Sequence, residues 1–582
     1  MLQPGNDLRV RTRSRPLVWA LGLLLAIALT FDLWGRQWGL YNNWHADELG
    51  EQTAALFQQR TINPHYFMYG NIAFYRTALA VGPALAYTSA FDPAPPASDV
   101  AAHSAWLDRY HRRITAWPRA LSVIEALLLV LVTCLLGAAL FDPRVGLVAG
   151  FALASSPTSV YIAHVSTVDG FANLMQWLAC LASLHAWKRR SVRSLALAVF
   201  LVGVAGGTKL DHFLVLIPVV IAYAWRGAPR WRDAGLLLLV PAGYVFANPI
   251  LAIRPFEFLD GLTRDMWFGA MADTGARSSY AVLFDYVRNG MGWPLLVLSI
   301  LGVGYAAIRF ALGLDRRELI WLLSTFLPFC LLLGSKRVYP HYVGQLLPGL
   351  SLIGAYGAVY AVIDAPRAWR PWASGALAAL YALALLGPIS LDLQFGNDPR
   401  DAASRWIIDH VPEQSTIFVS ERGPKLSSIR YRLEPMLPDR ERWTSYTTIP
   451  RQRVDEDGLY RRVRSSILTG ERSAGRLLGV SVRELPYQGW YDDVARDLDT
   501  RPNARERAKA VRPDYIVIVE YMSPTVLEWL RAPASGYSEV AAFAYRSPVR
   551  SELVMPMLDP KVWIFQSDSS IASNRQASVR HD

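Results

Sequence analysis

Residues 17–33 read LVWALGLLLAIALTFDL, an apolar run about as long as a helix needs to cross a lipid bilayer. Similar runs follow along most of the chain and are separated by short polar loops. We therefore predict a polytopic α-helical membrane protein with about eleven transmembrane helices. The predicted spans cover roughly residues 17–35, 119–140, 144–163, 168–187, 194–208, 210–225, 233–251, 293–311, 318–334, 341–363 and 372–391.

The composition agrees with one large membrane domain. The chain has 582 residues, of which 52% are hydrophobic and 18% are charged, whereas charged residues make up about a quarter of a soluble protein. Bulky residues at the end of the first run (Phe31, Leu33 and Trp34) do not resemble a signal-peptide cleavage site, so we expect the run to stay as an anchor. The net charge of +11 does not indicate nucleic-acid binding, because the basic residues lie partly in short loops between apolar runs.

Three cysteines lie inside apolar runs, far apart in the sequence: Cys134, Cys180 and Cys330. They form no C-x-x-C motif. We therefore expect them to be packing residues rather than metal ligands or disulfide partners.

The distribution of positive charge predicts the orientation of the helices. Arginines before the first run place the N-terminus in the cytoplasm, and with eleven spans five short basic loops fall on the same side. A further apolar run at 72–91 would put all five loops outside if it crossed the membrane once. We therefore expect it to lie along the interface, to re-enter or to pack on the bundle. The arginines that this topology leaves outside are Arg109, Arg112, Arg113 and Arg119.

The chain is predicted to have two parts. Residues 1–394 form the membrane domain, which includes a long first external loop at 36–118. Residues 395–582 form an extracytoplasmic α/β domain, because strand-like runs follow a helical stretch at 398–410. The predicted strands are Thr416–Ser420, Asp514–Glu520, Ser538–Tyr545 and, as an edge strand, Val562–Phe565.

Two adjacent acids, Asp47 and Glu48, follow the first span and a group of aromatic residues. Their ordinary interpretation is a helix N-terminus, with Asp47 as the N-cap and Glu48 interacting favourably with the helix dipole. Their functional interpretation is a general base, or the organiser of a metal or phosphate site, at the lipid–water boundary. Ionisable residues are costly to place in a membrane bundle, and this cost favours a function.

A second external loop ends in Asp169. Its ordinary interpretation is again helix capping, by Ser166, Thr167 or Asp169 itself. Its functional interpretation is that Asp169 and Asp47, two acids at span mouths on the same face, converge on one site. His164 in this loop is a further candidate ligand or hydrogen-bond partner, although a lone histidine is more often structural.

Basic residues on the same face are candidates for binding a phosphate. Lys209 follows two glycines that allow close backbone approach, and it either meets an anion there or extends its ammonium to the surface. Lys336 and Arg337 break the positive-inside trend and fit a phosphate partner. Their ordinary interpretation is interfacial anchoring together with Tyr339 and Tyr342.

Several common catalytic motifs are missing from the sequence. There is no Walker loop, no strand followed by G-x-G-x-x-G, no H-E-x-x-H and no G-x-S-x-G. Nucleotide hydrolysis and serine-hydrolase chemistry therefore have no support. If the reaction needs an activated donor, the activation must arrive with the substrate.

The order of these features resembles the GT-C superfamily of integral-membrane glycosyltransferases, above all the branch that contains aminoarabinose–lipid A transferase and the protein O-mannosyltransferases. The resemblance covers most of the chain and rests on the order of the motifs and their shared face. Two departures are Ala46, where many members have proline, and Asp169-Gly170, which lacks a D-x-D pattern. The motifs that carry the resemblance are Asp47-Glu48, Tyr66–Asn71, Arg119–Ser122, Ser155–Asp169, Gly206–Lys209, Asn248-Pro249, His341–Pro348, Asp398–Val419 and Pro513–Tyr515.

The resemblance implies transfer of a sugar from a polyprenyl-phosphate donor to an acceptor hydroxyl on the extracytoplasmic face, with inversion at the anomeric carbon. By position, Asp47 is the general base, Glu48 is a neighbour that sets its pKa or geometry, and Asp169 is the second acid. The candidates for the donor phosphate are Lys209, Lys336 and Arg337. The other site candidates are His45, Tyr69, His164, His341 and Tyr342.

The resemblance also implies a location and partners. We expect an integral protein of a bacterial inner membrane that contacts lipids, takes a protein, lipid or glycan as acceptor, and binds no nucleic acid. No cofactor is certain, and a divalent metal such as Mg²⁺ or Mn²⁺ at Asp47 and Asp169 is left open.

Two other functions stay open: a transporter or flippase of lipid-linked sugars, and a non-catalytic membrane scaffold with an external binding domain. Transporters are expected to carry charge near the midplane in broken helices. The acids of this chain lie at span mouths, which favours catalysis.

Overall fold

The structure is a computed structural model, and it describes most of the membrane domain and part of the C-terminal region. The described residues are 15–40, 44–45, 47–65, 67, 69–96, 98–227, 231–259, 261–262, 279–334, 339–419, 423–424, 426, 432–435, 511–520, 524–545 and 560–571. Lys336, Arg337 and Ala46 lie outside them.

Helices dominate the described residues, which confirms the polytopic helical class. They are α1 Arg15–Leu33, α2 Gly50–Gln59, α3 Asn71–Phe91, α4 Val100–Leu140, α5 Pro143–Ala154, α6 Pro157–His164, α7 Val168–Arg189, α8 Val192–Thr208, α9 Leu216–Trp225, α10 Leu239–Ala247, α11 Ile250–Ile253, α12 Ser279–Met291, α13 Trp293–Ala311, α14 Arg316–Gly334, α15 Leu347–Asp364, α16 Arg370–Ala384, α17 Leu386–Gly396, α18 Pro399–His410 and α19 Pro524–Arg531. Short 3₁₀ segments are Leu210–Val215, Trp231–Leu238, Pro340–Gln345 and Pro533–Ser535.

Fewer helices than the predicted eleven are long and apolar enough to cross a membrane. In the described part of the chain there are 6, or 7 if α5 and α6, which meet at 62°, count as one broken span. Three predicted spans appear as shorter apolar helices, Val192–Thr208, Leu210–Trp225 and Gly235–Ala247. The predicted span at 168–187 is the long helix α7, but buried Asn173 and Gln176 make it less apolar.

The ambiguous run at 72–91 forms α3, which is not among the candidate spans. Ala73, Phe74, Ala80 and Val81 of α3 are buried, and the helix packs on α2 and α4. These contacts agree with packing on the bundle, and placement along the interface and re-entry stay predictions.

Small residues bring the central helices close together. Gly203 of α8 faces Gly243 of α10, and a Cβ added at Gly203 would lie 2.1 Å from the carbonyl oxygen of Val240. Two such glycines allow a backbone approach that any side chain would prevent. Cys134 and Cys180 are buried in α4 and α7 and form no disulfide, which agrees with their interpretation as packing residues.

A small sheet lies in the C-terminal region. It has the order β2-β1-β3-β5-β4, with β1 Thr416–Val419, β2 Arg432–Pro435, β3 Tyr515–Val519, β4 Tyr537–Phe543 and β5 Val562–Ser567. The strands β2, β1 and β3 are parallel, whereas β3, β5 and β4 are antiparallel. Three predicted strands are confirmed. The edge position predicted for Val562–Phe565 is wrong, because β5 pairs on both sides and most of its residues are buried.

Candidate active site

Asp47 lies in the connection between α1 and α2. The side chain is half-buried, and among the described residues its carboxylate forms no hydrogen bond or ion pair. The backbone N–H of Asp47 lies 3.2 Å from Nδ1 of His45. Since α2 begins at Gly50 and its N-cap position is Leu49, the structure does not support the helix-cap interpretation of Asp47.

Glu48, the next residue, has a different environment. It is 2% exposed, and both of its oxygens accept hydrogen bonds from Arg119, at 2.7 Å from Nε and 2.8 Å from Nη2. The backbone N–H of Ser166 donates to Glu48 Oε1 at 3.0 Å. Arg119 itself is buried and also donates to the carbonyl oxygens of Arg36 and Trp38. Fully engaged in this way, Glu48 is suited to fixing the chain rather than to accepting a proton.

Asp169 and Lys209 form a buried ion pair. Lys209 Nζ lies 2.7 Å from Asp169 Oδ1, and the side chains are 10% and 8% exposed. Thr167 donates to the other oxygen of Asp169 at 3.1 Å. The ammonium also lies 3.8 Å from the centroid of the Tyr342 ring, a favourable cation–π geometry. Lys209 is therefore held inside the protein and does not extend to the surface.

Asp169 is also not a helix cap. The N-cap position of α7 is Thr167, which makes no side-chain capping bond, and Asp169 lies in the first turn. The ion pair with Lys209 therefore explains the presence of an acid at position 169 better than helix capping does.

His341 and Tyr342 lie in the 3₁₀ segment that precedes the span α15. The His341 ring stacks on Tyr339 with a centroid distance of 5.7 Å and meets Tyr342 edge-on at 4.8 Å. Burial lowers the pKa of His341 to about 4, with Asp169 opposing this shift and Lys209 adding to it. The imidazole is therefore neutral at neutral pH and does not add a second positive charge beside Lys209.

Backbone contacts attach the segment of Tyr69 to the segment of Lys209. The N–H of Gly70 donates to the carbonyl of Thr208 at 3.0 Å, and a Cβ on Gly70 would lie 2.1 Å from the carbonyl oxygen of Gly207. Asn248 connects both segments, since it donates to Gly207 at 2.8 Å and accepts from the N–H of Asn71 at 3.0 Å. Tyr69 packs on the buried cluster that contains Val168. The motifs Tyr66–Asn71, Gly206–Lys209 and Asn248-Pro249 thus contact one another beside the Asp169–Lys209 pair.

His45 and His164 contact other parts of the protein. His45 is 4% exposed and its ring lies 5.9 Å from that of Tyr161. His164 hydrogen-bonds the carbonyls of Val160 and Trp34 and stacks on Phe395 at 4.3 Å. These contacts place His164 against α1 and α17 and give it the role of a satisfied interior histidine.

Sequence reasoning did not identify a second buried Arg–Glu pair. Arg76 of α3 donates to Glu125 of α4 at 2.7 and 2.6 Å, and it also reaches Ser166 Oγ and the carbonyl of Thr167. Both members lie inside apolar runs, where an ionisable residue is itself a signal of function or pairing. Arg76 holds the loop that leads to Asp169 directly, and Arg119 holds it through Glu48.

The metal site that the sequence left open involves Asp47 and Asp169, which both belong to the described residues. Among them there is no group of three or more His, Cys, Asp or Glu side chains that could hold a metal ion. One of the two proposed ligands, Asp169, is already engaged by Lys209. Mg²⁺ is often bound through one or two carboxylates together with substrate phosphates and water, so a divalent metal at Asp47 stays a prediction.

Comparison with solved structures finds similar chains of low sequence identity. The chain is similar to ArnT from Cupriavidus metallidurans bound to undecaprenyl phosphate, with 14% identity, a TM-score of 0.46 and coverage of 95% of this chain and 98% of that one. It is also similar to the oligosaccharyltransferase AglB from Archaeoglobus fulgidus in complex with an inhibitory peptide and a dolichol phosphate. The identity there is 15%, the TM-score 0.42 and the coverage 94% and 76%.

A comparison with curated protein sequences gives no significant match. A comparison with family profiles does match one segment, which runs from within α4 to α11 and includes Arg119, Glu125, Asp169 and Lys209. Residues 114–252 thus carry the pattern of the dolichyl-phosphate-mannose-protein mannosyltransferase family, and this match confirms the resemblance to the GT-C membrane glycosyltransferases.

Proposed function

We propose that this protein moves a sugar from a polyprenyl-phosphate donor to an acceptor hydroxyl, with inversion at the anomeric carbon and Asp47 as the general base. The observation that carries the proposal is the difference among three acids of the predicted site. Glu48 and Asp169 are fully engaged by Arg119 and Lys209, whereas the half-buried carboxylate of Asp47 has no partner among the described residues. A general base needs such an available carboxylate.

The reaction requires one proton transfer and one displacement. Asp47 takes the proton of the acceptor hydroxyl as the acceptor oxygen forms its bond to the anomeric carbon. The bond from that carbon to the phosphate oxygen breaks, and its electron pair leaves with the polyprenyl phosphate. Negative charge therefore develops on the phosphate, where a fixed cation lowers the barrier.

Lys209 is the proposed partner of that phosphate. The ion pair with Asp169 orients the ammonium, and the aromatic rings of Tyr342 and His341 restrict water beside it. Lys336 and Arg337 precede His341 and Tyr342 in the sequence and lie outside the described residues. They stay predicted phosphate ligands. A metal bound through Asp47 also stays a prediction, and no step here requires it.

Replacing Lys209 by methionine is expected to lower kcat/KM for the donor about 10- to 100-fold, because a charged hydrogen bond to the phosphate is lost. The measurement is the release of undecaprenyl phosphate from radiolabelled undecaprenyl-phosphate sugars. Lys209→Met alone leaves the buried carboxylate of Asp169 without its cation, so the double variant with Asp169→Asn is the control for folding. Full activity of a folded double variant would refute the role of Lys209.

The proposed site lies on the extracytoplasmic side of a bacterial inner membrane, together with the C-terminal domain of residues 395–582. We expect a cysteine at exposed Glu528, in a Cys330→Ser background, to react with an impermeant maleimide in intact spheroplasts. A cysteine at exposed Arg317 should react only after permeabilisation. The reverse pattern would invert the topology and remove Asp47 from the proposed face.

One experiment separates transfer from transport. Purified protein is reconstituted with undecaprenyl phosphate that carries a radiolabelled sugar, drawn from a panel of hexoses and pentoses, together with protein, lipid and glycan acceptors from membrane extracts. A transferase releases undecaprenyl phosphate and labels one acceptor class. A flippase moves the labelled lipid across the bilayer with its sugar still attached, and this result without transfer would overturn the proposal. A scaffold does neither.

A further inference from the structure

The connection that carries Asp47 is held by residues of the C-terminal region. We propose that Asp398 and Arg400 are positioning residues, which fix Trp38 and Trp44 and thereby the location of Asp47. This inference rests on the proposed role of Asp47 as the base. The C-terminal domain would then help to position the general base.

Asp398 and Arg400 form a rigid, fully buried unit at the start of α18. Arg400 donates to the two carboxylate oxygens of Asp398 at 2.8 and 2.6 Å, and its backbone N–H donates at 2.8 Å as Asp398 caps the helix. Both side chains are 0% exposed. A charged pair buried this deeply is tolerated only with such complete geometry, so each member holds the other in one orientation.

This unit contacts both tryptophans of the α1–α2 connection. The indole N–H of Trp38 donates to Asp398 Oδ2 at 2.8 Å. The guanidinium carbon of Arg400 lies 3.6 Å from the centroid of the Trp44 ring and 5.6 Å from that of Trp38. The Trp44 indole donates in turn to the carbonyl of Gly423, at 3.3 Å. The two rings also meet edge to face, with a centroid distance of 5.8 Å.

Trp38 connects the Asp398–Arg400 unit to Glu48 through Arg119. Its carbonyl oxygen accepts a hydrogen bond from Arg119, and Arg119 forms the bidentate pair with Glu48. Asp47 therefore lies between Trp44, held by the C-terminal region, and Glu48, held by Arg119. A catalytic group must be kept close to its productive geometry, and its supporting contacts determine how well this is achieved.

The test is the substitution Trp38→Phe, which removes the hydrogen bond to Asp398 and keeps an aromatic ring in the same place. We expect kcat to fall about tenfold, with KM unchanged for the undecaprenyl-phosphate sugar that the wild type uses best. Amide hydrogen exchange at residues 47–50 should rise in the same variant. Trp44→Phe, which removes the bond to Gly423, serves as a second variant if Trp38→Phe does not fold.

Two ion pairs elsewhere in the chain provide matched controls. Arg531→Ala breaks an exposed pair with Glu539 in the same C-terminal region and should leave kcat and exchange at 47–50 unchanged. Arg226→Gln breaks a pair with Asp233 in which both side chains are only 9% exposed. We expect it to lower the unfolding temperature while the folded protein keeps its kcat. A merely structural role for Trp38 would give the pattern of Arg226→Gln, and this result would overturn the inference.

Combination with Asp47→Asn separates this inference from the proposed function. If Trp38 acts through Asp47, then Trp38→Phe costs little more in the Asp47→Asn background, since the group that it positions is already lost. If Asp47→Asn keeps full activity, the proposed function fails. If Asp47→Asn is inactive while Trp38→Phe retains wild-type kcat, only the positioning role fails.

Discussion

Asp47→Asn is expected to reduce kcat by about 10²- to 10⁴-fold, the usual contribution of a general base. The amide keeps the size of the side chain but cannot take the proton of the acceptor hydroxyl. Because the carboxylate of Asp47 has no partner among the described residues, the substitution breaks no ion pair there and the unfolding temperature should stay close to that of the wild type. The measurement is undecaprenyl phosphate release under saturating donor.

Glu51→Gln is the matched control for this substitution. Glu51 lies in the first turn of α2, its side chain is 29% exposed, and it lies 3.2 Å from Nδ1 of His111. The same change of charge there should alter kcat by less than about twofold, since Glu51 has no proposed part in the proton transfer and its surface pair adds little stability. Equal losses in the two variants would mean that net charge near the site matters and that Asp47 is not the base.

Arg119→Leu is expected to destabilise the protein by about 3–5 kcal/mol, the usual consequence of leaving one member of a buried ion pair alone. Glu48 would lose two charged hydrogen bonds while staying buried. Thermal unfolding in detergent measures the change, and activity should fall with it because the contact to Trp38 is lost as well. Wild-type stability in this variant would contradict the buried pair.

The double variant Glu48→Met, Arg119→Met separates stability from catalysis. Replacing both members of a buried pair by apolar groups of similar size is often close to neutral. We therefore expect most of the stability to return, while activity stays low because neither Ser166 nor Trp38 regains its partner. Recovery of both properties would show that the pair has no positioning role.

The sequence predicts the helical class and the sheet of the C-terminal region because both depend on local periodicity. The length of the spans is less predictable. The run at 210–225 looks continuous, yet it begins as a 3₁₀ segment after an extended Lys209. The position of β5 between β3 and β4 depends on which strands pair, and no local pattern contains that information.

The sequence likewise identifies candidate residues of the site but not which of them pair with each other. Neighbouring Asp47 and Glu48 look alike in the sequence, but one is available and the other is locked by Arg119, which lies 71 positions away. The pairing of Asp169 with Lys209 was expected only as proximity on one face. Arg76 and Glu125 could have been noticed as charges within apolar runs, but their shared contact with the Ser166 loop requires the folded chain.

The two Arg–Glu pairs on either side of Ser166 have a consequence for donor binding. A loop that becomes ordered only when its ligand arrives loses conformational entropy at that moment, and this loss weakens the affinity. The backbone at Ser166 and Thr167 is already fastened by Glu48 and Arg76. The segment that presents Asp169 to Lys209 is thus held by contacts within the protein, so in the proposed reaction little of the interaction energy of the phosphate would be spent on ordering it.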